Sequence, residues 1–81
     1  MNLVFLFGKI VSDIEFNFVL NSKNISIVNF EIELYNENIV KVKGYNEIAD
    51  FCYSKLNKQD LVYIFGMLDN NMEIRIEEIY N

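Results

Sequence analysis

The sequence contains no histidine and a single cysteine among its 81 residues. No metal-ligand cluster, phosphate-binding glycine loop or serine beside a base is present, so the patterns that usually support catalysis are missing. Cys52 cannot form an internal disulfide, and there is no histidine to activate it. We therefore interpret Cys52 as a small buried residue, and we expect a protein that is not an enzyme and needs no metal ion or cofactor.

Positive charge and long apolar runs are also scarce. Seven basic residues stand against twelve acidic ones, which gives a formal net charge of −5. Because cations that contact phosphates supply most non-specific nucleic-acid affinity, this balance argues against strong nucleic-acid binding. The apolar run over residues 3–7 is too short for a signal peptide, and no segment is long enough to span a bilayer. We expect a cytoplasmic protein without membrane segments.

Hydrophobic residues are plentiful, at 52%, and most of them alternate with polar ones. Alternation is typical of half-buried strands, which it predicts over residues 16–20, 25–35, 39–45, 61–68 and 72–80, and a first strand that is apolar on both faces is predicted over residues 2–11. Between the fourth and fifth strands the pattern changes to helical spacing, with one shared face formed by Ile48, Ala49, Cys52 and Leu56. Gly8 predicts the sharp bend with which small barrels turn a corner. Together these features predict one domain over residues 1–81, all-β with one short helix, folded as a five-stranded Greek-key barrel, the OB fold.

The stretch from residue 45 to residue 68 carries three short motifs in a fixed order. Residues 45–50 read Tyr-Asn-Glu-Ile-Ala-Asp, Leu56 and Lys58 follow at the helix end, and residues 62–68 read Val-Tyr-Ile-Phe-Gly-Met-Leu. In sequence and spacing this stretch resembles the bacterial single-stranded DNA-binding protein family, which reads aromatic-Gly-x-x-Ala-Glu, Leu-x-Lys-Gly and Val-Tyr-Val-x-Gly-x-Leu. Asn46 and Gln59 stand where that family usually has glycine. The family's long hairpin loops and C-terminal tail have no counterpart here, so the resemblance implies a compact form.

The same resemblance implies a binding site for single-stranded DNA. Tyr45 occupies the place of a base-stacking aromatic residue, and Lys41 that of a polar or basic contact on the same outward face. Lys43 and Lys9 are further candidates for phosphate contacts. OB domains present such side chains on their sheet and flanking loops, where bases stack on aromatic rings. The alternative for Tyr45 is a ring packed at the helix entry with its hydroxyl group in solvent.

Apolar residues also fall on predicted outward faces. The first strand is apolar on both faces, and Tyr63 and Phe65 lie opposite the inward side of the fifth strand. Exposed apolar surface of this kind marks subunit contacts. We predict a homo-oligomer, a dimer or a tetramer as in the family that the chain resembles, with an interface that includes Leu3, Phe5, Tyr63 and Phe65. Phe16 and Phe18 share a face of the second strand, and for them we favour a place in the core over a stacking platform.

The hairpin between the third and fourth strands sets acidic residues against the candidate lysines. A regular three-residue loop over residues 36–38 predicts the cross-strand pairs Tyr35 with Ile39, Glu33 with Lys41, and Glu31 with Lys43. Such pairs neutralise the cations that DNA needs, so we expect weak binding of single-stranded DNA. The alternative is an OB module that has lost most DNA affinity and serves in oligomerisation or protein interaction, as in primosome-type relatives.

Overall fold

The computed structural model describes residues 2–20 and 24–81. Within them, six strands and one helix follow in chain order: β1 (Leu3–Ile10), β2 (Glu15–Val19), β3 (Ile25–Leu34), β4 (Ile39–Tyr45), α1 (Glu47–Lys55), β5 (Leu61–Leu68) and β6 (Ile74–Tyr80). Every predicted strand and the predicted helix are present, and β6 begins two residues later than the alternation indicated.

Five of the strands close into a barrel. They are hydrogen-bonded in the order β1-β5-β6-β4-β3, and β3 pairs back onto β1. Gly8 is the corner, because it lies opposite Val62 of β5 and also opposite Leu34 of β3. A Cβ atom there would lie 2.7 Å from the carbonyl oxygen of Glu33, so only glycine lets the two strands approach. The predicted five-stranded OB barrel is confirmed, and β2 lies outside it as a sixth strand along the edge of β3.

The core consists of the inward side chains of these strands and one face of α1. Burial alternates along β3, β4 and β5 as predicted, with the inward side chains buried except for the partly buried Leu34, Val40 and Leu68, and Ala49 and Cys52 of the helix are fully buried. Burial raises the pKa of the Cys52 thiol to about 12, because the thiolate would be desolvated. Cys52 is therefore the buried, unreactive residue that the sequence indicated.

Both positions at which the chain lacks the glycine of the family motif have a positive φ angle. Asn46 has φ 55°, and Gln59 has φ 84°. Gln59 lies in the turn after α1, where the Asp60 N–H donates to the carbonyl oxygen of Asn57 (3.1 Å) and the Gln59 N–H donates to that of Ile10 (2.7 Å). Both bonds hold the turn in this shape, so the backbone keeps a conformation that favours glycine although glycine is absent.

We expect Gln59→Gly to stabilise the fold by about 0.5–1 kcal/mol, because glycine removes the steric cost of a positive φ angle but adds conformational entropy to the unfolded chain. The free energy of unfolding in urea measures this change. Lys58→Gly is the matched control, since Lys58 lies in the same turn without a positive φ angle and should only lose stability. Equal losses in both variants would show that Gln59 carries no strain.

The register of β3 against β4 differs from the predicted one. The Leu34 N–H donates to the carbonyl oxygen of Asn38 (2.8 Å), and Glu37, at φ 69°, donates its N–H to that of Leu34 (2.9 Å). The hairpin therefore closes one residue earlier than expected. The predicted pairs Tyr35 with Ile39, Glu33 with Lys41 and Glu31 with Lys43 are wrong, and the observed pairs are Glu33 with Ile39, Glu31 with Lys41 and Asn29 with Lys43. Each partner shifts by two residues, so every side chain keeps its predicted face.

Candidate nucleic-acid interface

Three of the four candidate DNA-binding residues lie in a row on the outer face of β4. Lys41, Lys43 and Tyr45 alternate with buried neighbours, so all three project from the same side of the strand. The fourth candidate, Lys9, lies on β1 in register with Glu33 and Leu61. The structure thus brings the β4 residues together and places Lys9 apart from them.

A groove opens beside Tyr45. Its volume is ≈ 400 Å³, and it is lined by Lys43, Tyr45, Met67, Leu68, Asp69, Asn70 and Arg75. Tyr45 is 36% exposed, so part of its ring is accessible from the groove. An aromatic ring, a thioether, an amide, two cations and the carboxylate of Asp69 meet here. All of these groups except the carboxylate can stack on a nucleobase or contact its phosphate.

Arg75 belongs to this groove, although it is not among the four candidates that the sequence indicates. β4 and β6 run parallel and place Arg75 directly opposite Lys43. Arg75 Nη2 lies 3.2 Å from Met67 Sδ and 3.4 Å from Glu77 Oε1. Alternation along β6 places Arg75 on the outward face, but only the pairing of these distant strands shows that it lies beside Lys43.

Lys43 is held by the turn between β5 and β6. Its Nζ atom lies 2.6 Å from Asp69 Oδ2 and 3.5 Å from Glu73 Oε1. The contact with Asp69 raises the pKa of Lys43 and lowers the pKa of the Asp69 carboxyl group. The second oxygen of Asp69 accepts the N–H groups of Asn71 (2.8 Å) and Glu73 (3.0 Å), so the carboxylate is fixed in place. These two acids, and not Glu31, are the partners of Lys43.

A second groove on the same face has the opposite character. It measures ≈ 340 Å³ and is lined by Ser12, Glu15, Asn29, Phe30, Glu31, Lys41, Val42 and Glu73. Lys41 is exposed and faces Glu31 across the strands, but no carboxylate of the described residues lies within 4 Å of its amine. The face therefore changes from cationic and aromatic at Tyr45 to mainly anionic beyond Lys41.

The outer face of β1 and β5 is aromatic. Phe5 is 67% exposed and lies opposite Phe65, which is only partly exposed. The ring of Tyr63 packs between two phenylalanines, with its centroid 4.7 Å from that of Phe7 and 6.3 Å from that of Phe5. Other exposed apolar residues extend the patch, and they are Leu3, Leu61 and Tyr80. The predicted interface residues thus share one surface, to which the structure adds Phe7, Leu61 and Tyr80.

Residues 2–20 and 24–81 contain no group of acidic or cysteine side chains close enough to hold a metal ion. The helix found within these ranges is too short and too polar to cross a membrane.

Comparison with solved structures identifies the architecture. The SSB domain of a protein from Synechococcus sp. superposes with a TM-score of 0.87 at 15% identity, covering 100% of this chain and 96% of that one. The chain has an SSB-like OB fold. The mitochondrial single-stranded DNA-binding protein of S. cerevisiae superposes with a TM-score of 0.80 at 20% identity, covering 98% of this chain and 91% of that one. PriB from Ralstonia solanacearum superposes with a TM-score of 0.82 at 13% identity, covering 100% of this chain and 98% of that one. No protein-family profile matches the chain, and no curated protein matches it in sequence.

Proposed function

We propose that this SSB-like chain is a non-enzymatic protein that binds single-stranded DNA weakly and independently of sequence. The groove at Tyr45 is the observation that supports this function. A base stacked on the Tyr45 ring would place its phosphate near Lys43 and Arg75, which line the same groove. The matched mitochondrial protein of S. cerevisiae, which has this fold, is named as a single-stranded DNA-binding protein. The buried, unpaired Cys52 suits a reducing compartment, and we propose that the protein acts in the cytoplasm.

The carboxylates on this face account for the weakness of the proposed binding. DNA must displace Asp69 and Glu73 from Lys43, and it must approach Arg75 against Glu77. Lys41 is more accessible, and a phosphate reaches it without breaking an ion pair. Lys9 can contact a phosphate only if the bound DNA strand continues past Glu33, which lies opposite Lys9 in the sheet. Each phosphate contact formed releases counterions, so the affinity should fall steeply with salt.

Replacing Tyr45 with Ala tests the stacking role directly. We expect Tyr45→Ala to weaken binding of oligo-dT by about 1–3 kcal/mol, since this is the usual contribution of one base–aromatic stack. Tyr45→Phe keeps the ring and should bind as the parent does. Tyr35→Ala, at a fully exposed tyrosine of the β3–β4 loop, is the matched control, measured in the same low-salt fluorescence titration. If Tyr45→Ala and Tyr35→Ala have equal effects, no base stacks on Tyr45.

A second function is supported by a different surface. We propose that the chain also forms a homo-oligomer through Leu3, Phe5, Tyr63 and Phe65, as a dimer or tetramer. Among the described strands, β3 pairs with β1 only from Gly8 onward, so the edge of β1 before Gly8 has β5 as its single neighbour. A groove of ≈ 280 Å³ runs along this edge, lined by Phe5, Leu6, Phe7, Leu34, Tyr35 and Asn36. A chain that assembles but does not respond to oligo-dT would be an interaction module only.

A further inference from the structure

A third surface surrounds β2, the strand outside the closed barrel. In the described part of the chain β2 pairs with β3 alone, so its other edge has no partner strand. An unpaired edge is a template for another strand, and proteins commonly protect such edges with lysine or proline. β2 reads Glu-Phe-Asn-Phe-Val and contains neither residue.

Exposed aromatic rings line this edge on the side of α1. Phe16 packs against the core, and its ring centroid lies 4.7 Å from that of Tyr53. Phe18 is 53% exposed and Tyr53 is 60% exposed. The core prediction was therefore right for Phe16 and wrong for Phe18, because β2 extends past the barrel and no element of the described chain covers its far end.

We propose that β2 pairs antiparallel with β2 of a second copy of this chain, centred on Asn17. A two-fold interface requires that residue i contacts residue j and that j contacts i. The palindrome Phe16-Asn17-Phe18 meets this requirement, since the pairing sets each Phe16 against the partner's Phe18 and the two Asn17 amides against each other. Glu15 then faces Val19 of the partner subunit, so no two carboxylates of the strands stand opposite each other.

The pairing also has a consequence for the outer face, which rests on the proposed DNA binding. Asn17 lies in register with Ile27, and Ile27 lies in register with Tyr45. Joining the two β2 strands would make one sheet whose outer face carries both Tyr45 rings. Five strand spacings separate them, or about 24 Å. A single DNA strand could then contact both protomers.

Disulfide trapping tests the pairing and its register. In the proposed sheet the two Asn17 Cβ atoms are about 4.5–5.5 Å apart, so Asn17→Cys should cross-link under mild oxidation. Pairing raises the effective thiol concentration. We therefore expect Asn17→Cys to cross-link on the order of tenfold faster than Asn70→Cys, which places the thiol at an exposed turn residue. A variant with both Glu15→Cys and Val19→Cys should also form dimers, whereas either change alone should not. The parent chain is the control without an added cysteine, and it should not cross-link because Cys52 is buried.

Phe18→Lys in the Asn17→Cys background should slow cross-linking while the unfolding midpoint is unchanged. The cross-link should persist with Phe5→Glu added, because Phe5 lies on the other proposed interface. Cross-linking of Asn17→Cys no faster than that of Asn70→Cys would overturn the proposal, and so would efficient cross-linking of Glu15→Cys alone. If the β2 edge instead binds a peptide of another protein, Asn17→Cys should cross-link no faster than Asn70→Cys. The measurement contains no DNA, so its failure leaves the DNA-binding proposal unaffected.

Discussion

The double variant Asp69→Asn, Glu73→Gln is expected to bind oligo-dT about tenfold more tightly than the parent chain at low salt. The two substitutions release Lys43, whose amine lies 2.6 Å and 3.5 Å from the two carboxylates. A hydrogen bond to a charged group contributes about 1.5–3 kcal/mol, so one new contact between Lys43 and a phosphate accounts for a tenfold gain. The asparagine keeps the oxygen that accepts the N–H groups of Asn71 and Glu73, so the turn should hold its shape.

The salt dependence identifies the cause of the gain. One additional phosphate contact should steepen the log–log slope of affinity against salt by about 0.7. The matched control is Asp13→Asn with Glu37→Gln, which changes the net charge equally at exposed positions that make no ion pair with Lys43. An equal gain in the control would mean that net charge alone limits binding. If neither variant gains, Asp69 and Glu73 do not shield Lys43 from DNA.

The observed β3–β4 register gives Glu31 and Glu33 different neighbours, although the sequence predicts a lysine partner for both. Glu31 faces Lys41, whereas Glu33 faces Ile39. Removing Glu31 should therefore assist phosphate contact at Lys41, while removing Glu33 acts mainly near Lys9, outside the Tyr45 groove.

Phe5→Glu should break the interface formed by Leu3, Phe5, Tyr63 and Phe65. Phe5 is 67% exposed in the isolated chain, so the substitution should leave the barrel folded. In an assembled interface it would remove a ring worth about 1.5–3 kcal/mol per protomer and bury an unpaired carboxylate instead. Light scattering at micromolar concentration should show more than one chain per particle for the parent and fewer chains per particle for the variant.

Met72→Glu is the control for this experiment, because Met72 is equally exposed but lies in the turn before β6. It should leave the assembly intact. A parent chain that is monomeric at this concentration would contradict the interface formed by Leu3, Phe5, Tyr63 and Phe65. An identical loss of mass in both variants would mean that any added charge disrupts assembly.

The spacing of apolar residues along the chain is enough to show which side of each barrel strand is buried and where the helix lies. Alternation placed Lys41, Lys43 and Tyr45 together on one outward face, because successive side chains of a strand point to opposite sides. The resemblance to the family motif marked Asn46 and Gln59 as glycine-type positions, and both have positive φ angles. These are local properties, and they follow from the spacing of residues along a few turns or pleats of the chain.

Which residues meet across strands follows from the three-dimensional fold and not from the spacing of residues. The hairpin register depended on the left-handed conformation of Glu37, which periodicity does not reveal because a shift of two residues preserves every face. Arg75 and Asp69 reach Lys43 through contacts between residues far apart in the chain. Phe18 is exposed because β2 lies beyond the closed barrel. Pairing of distant strands depends on how the whole barrel closes, so no short stretch of sequence contains it.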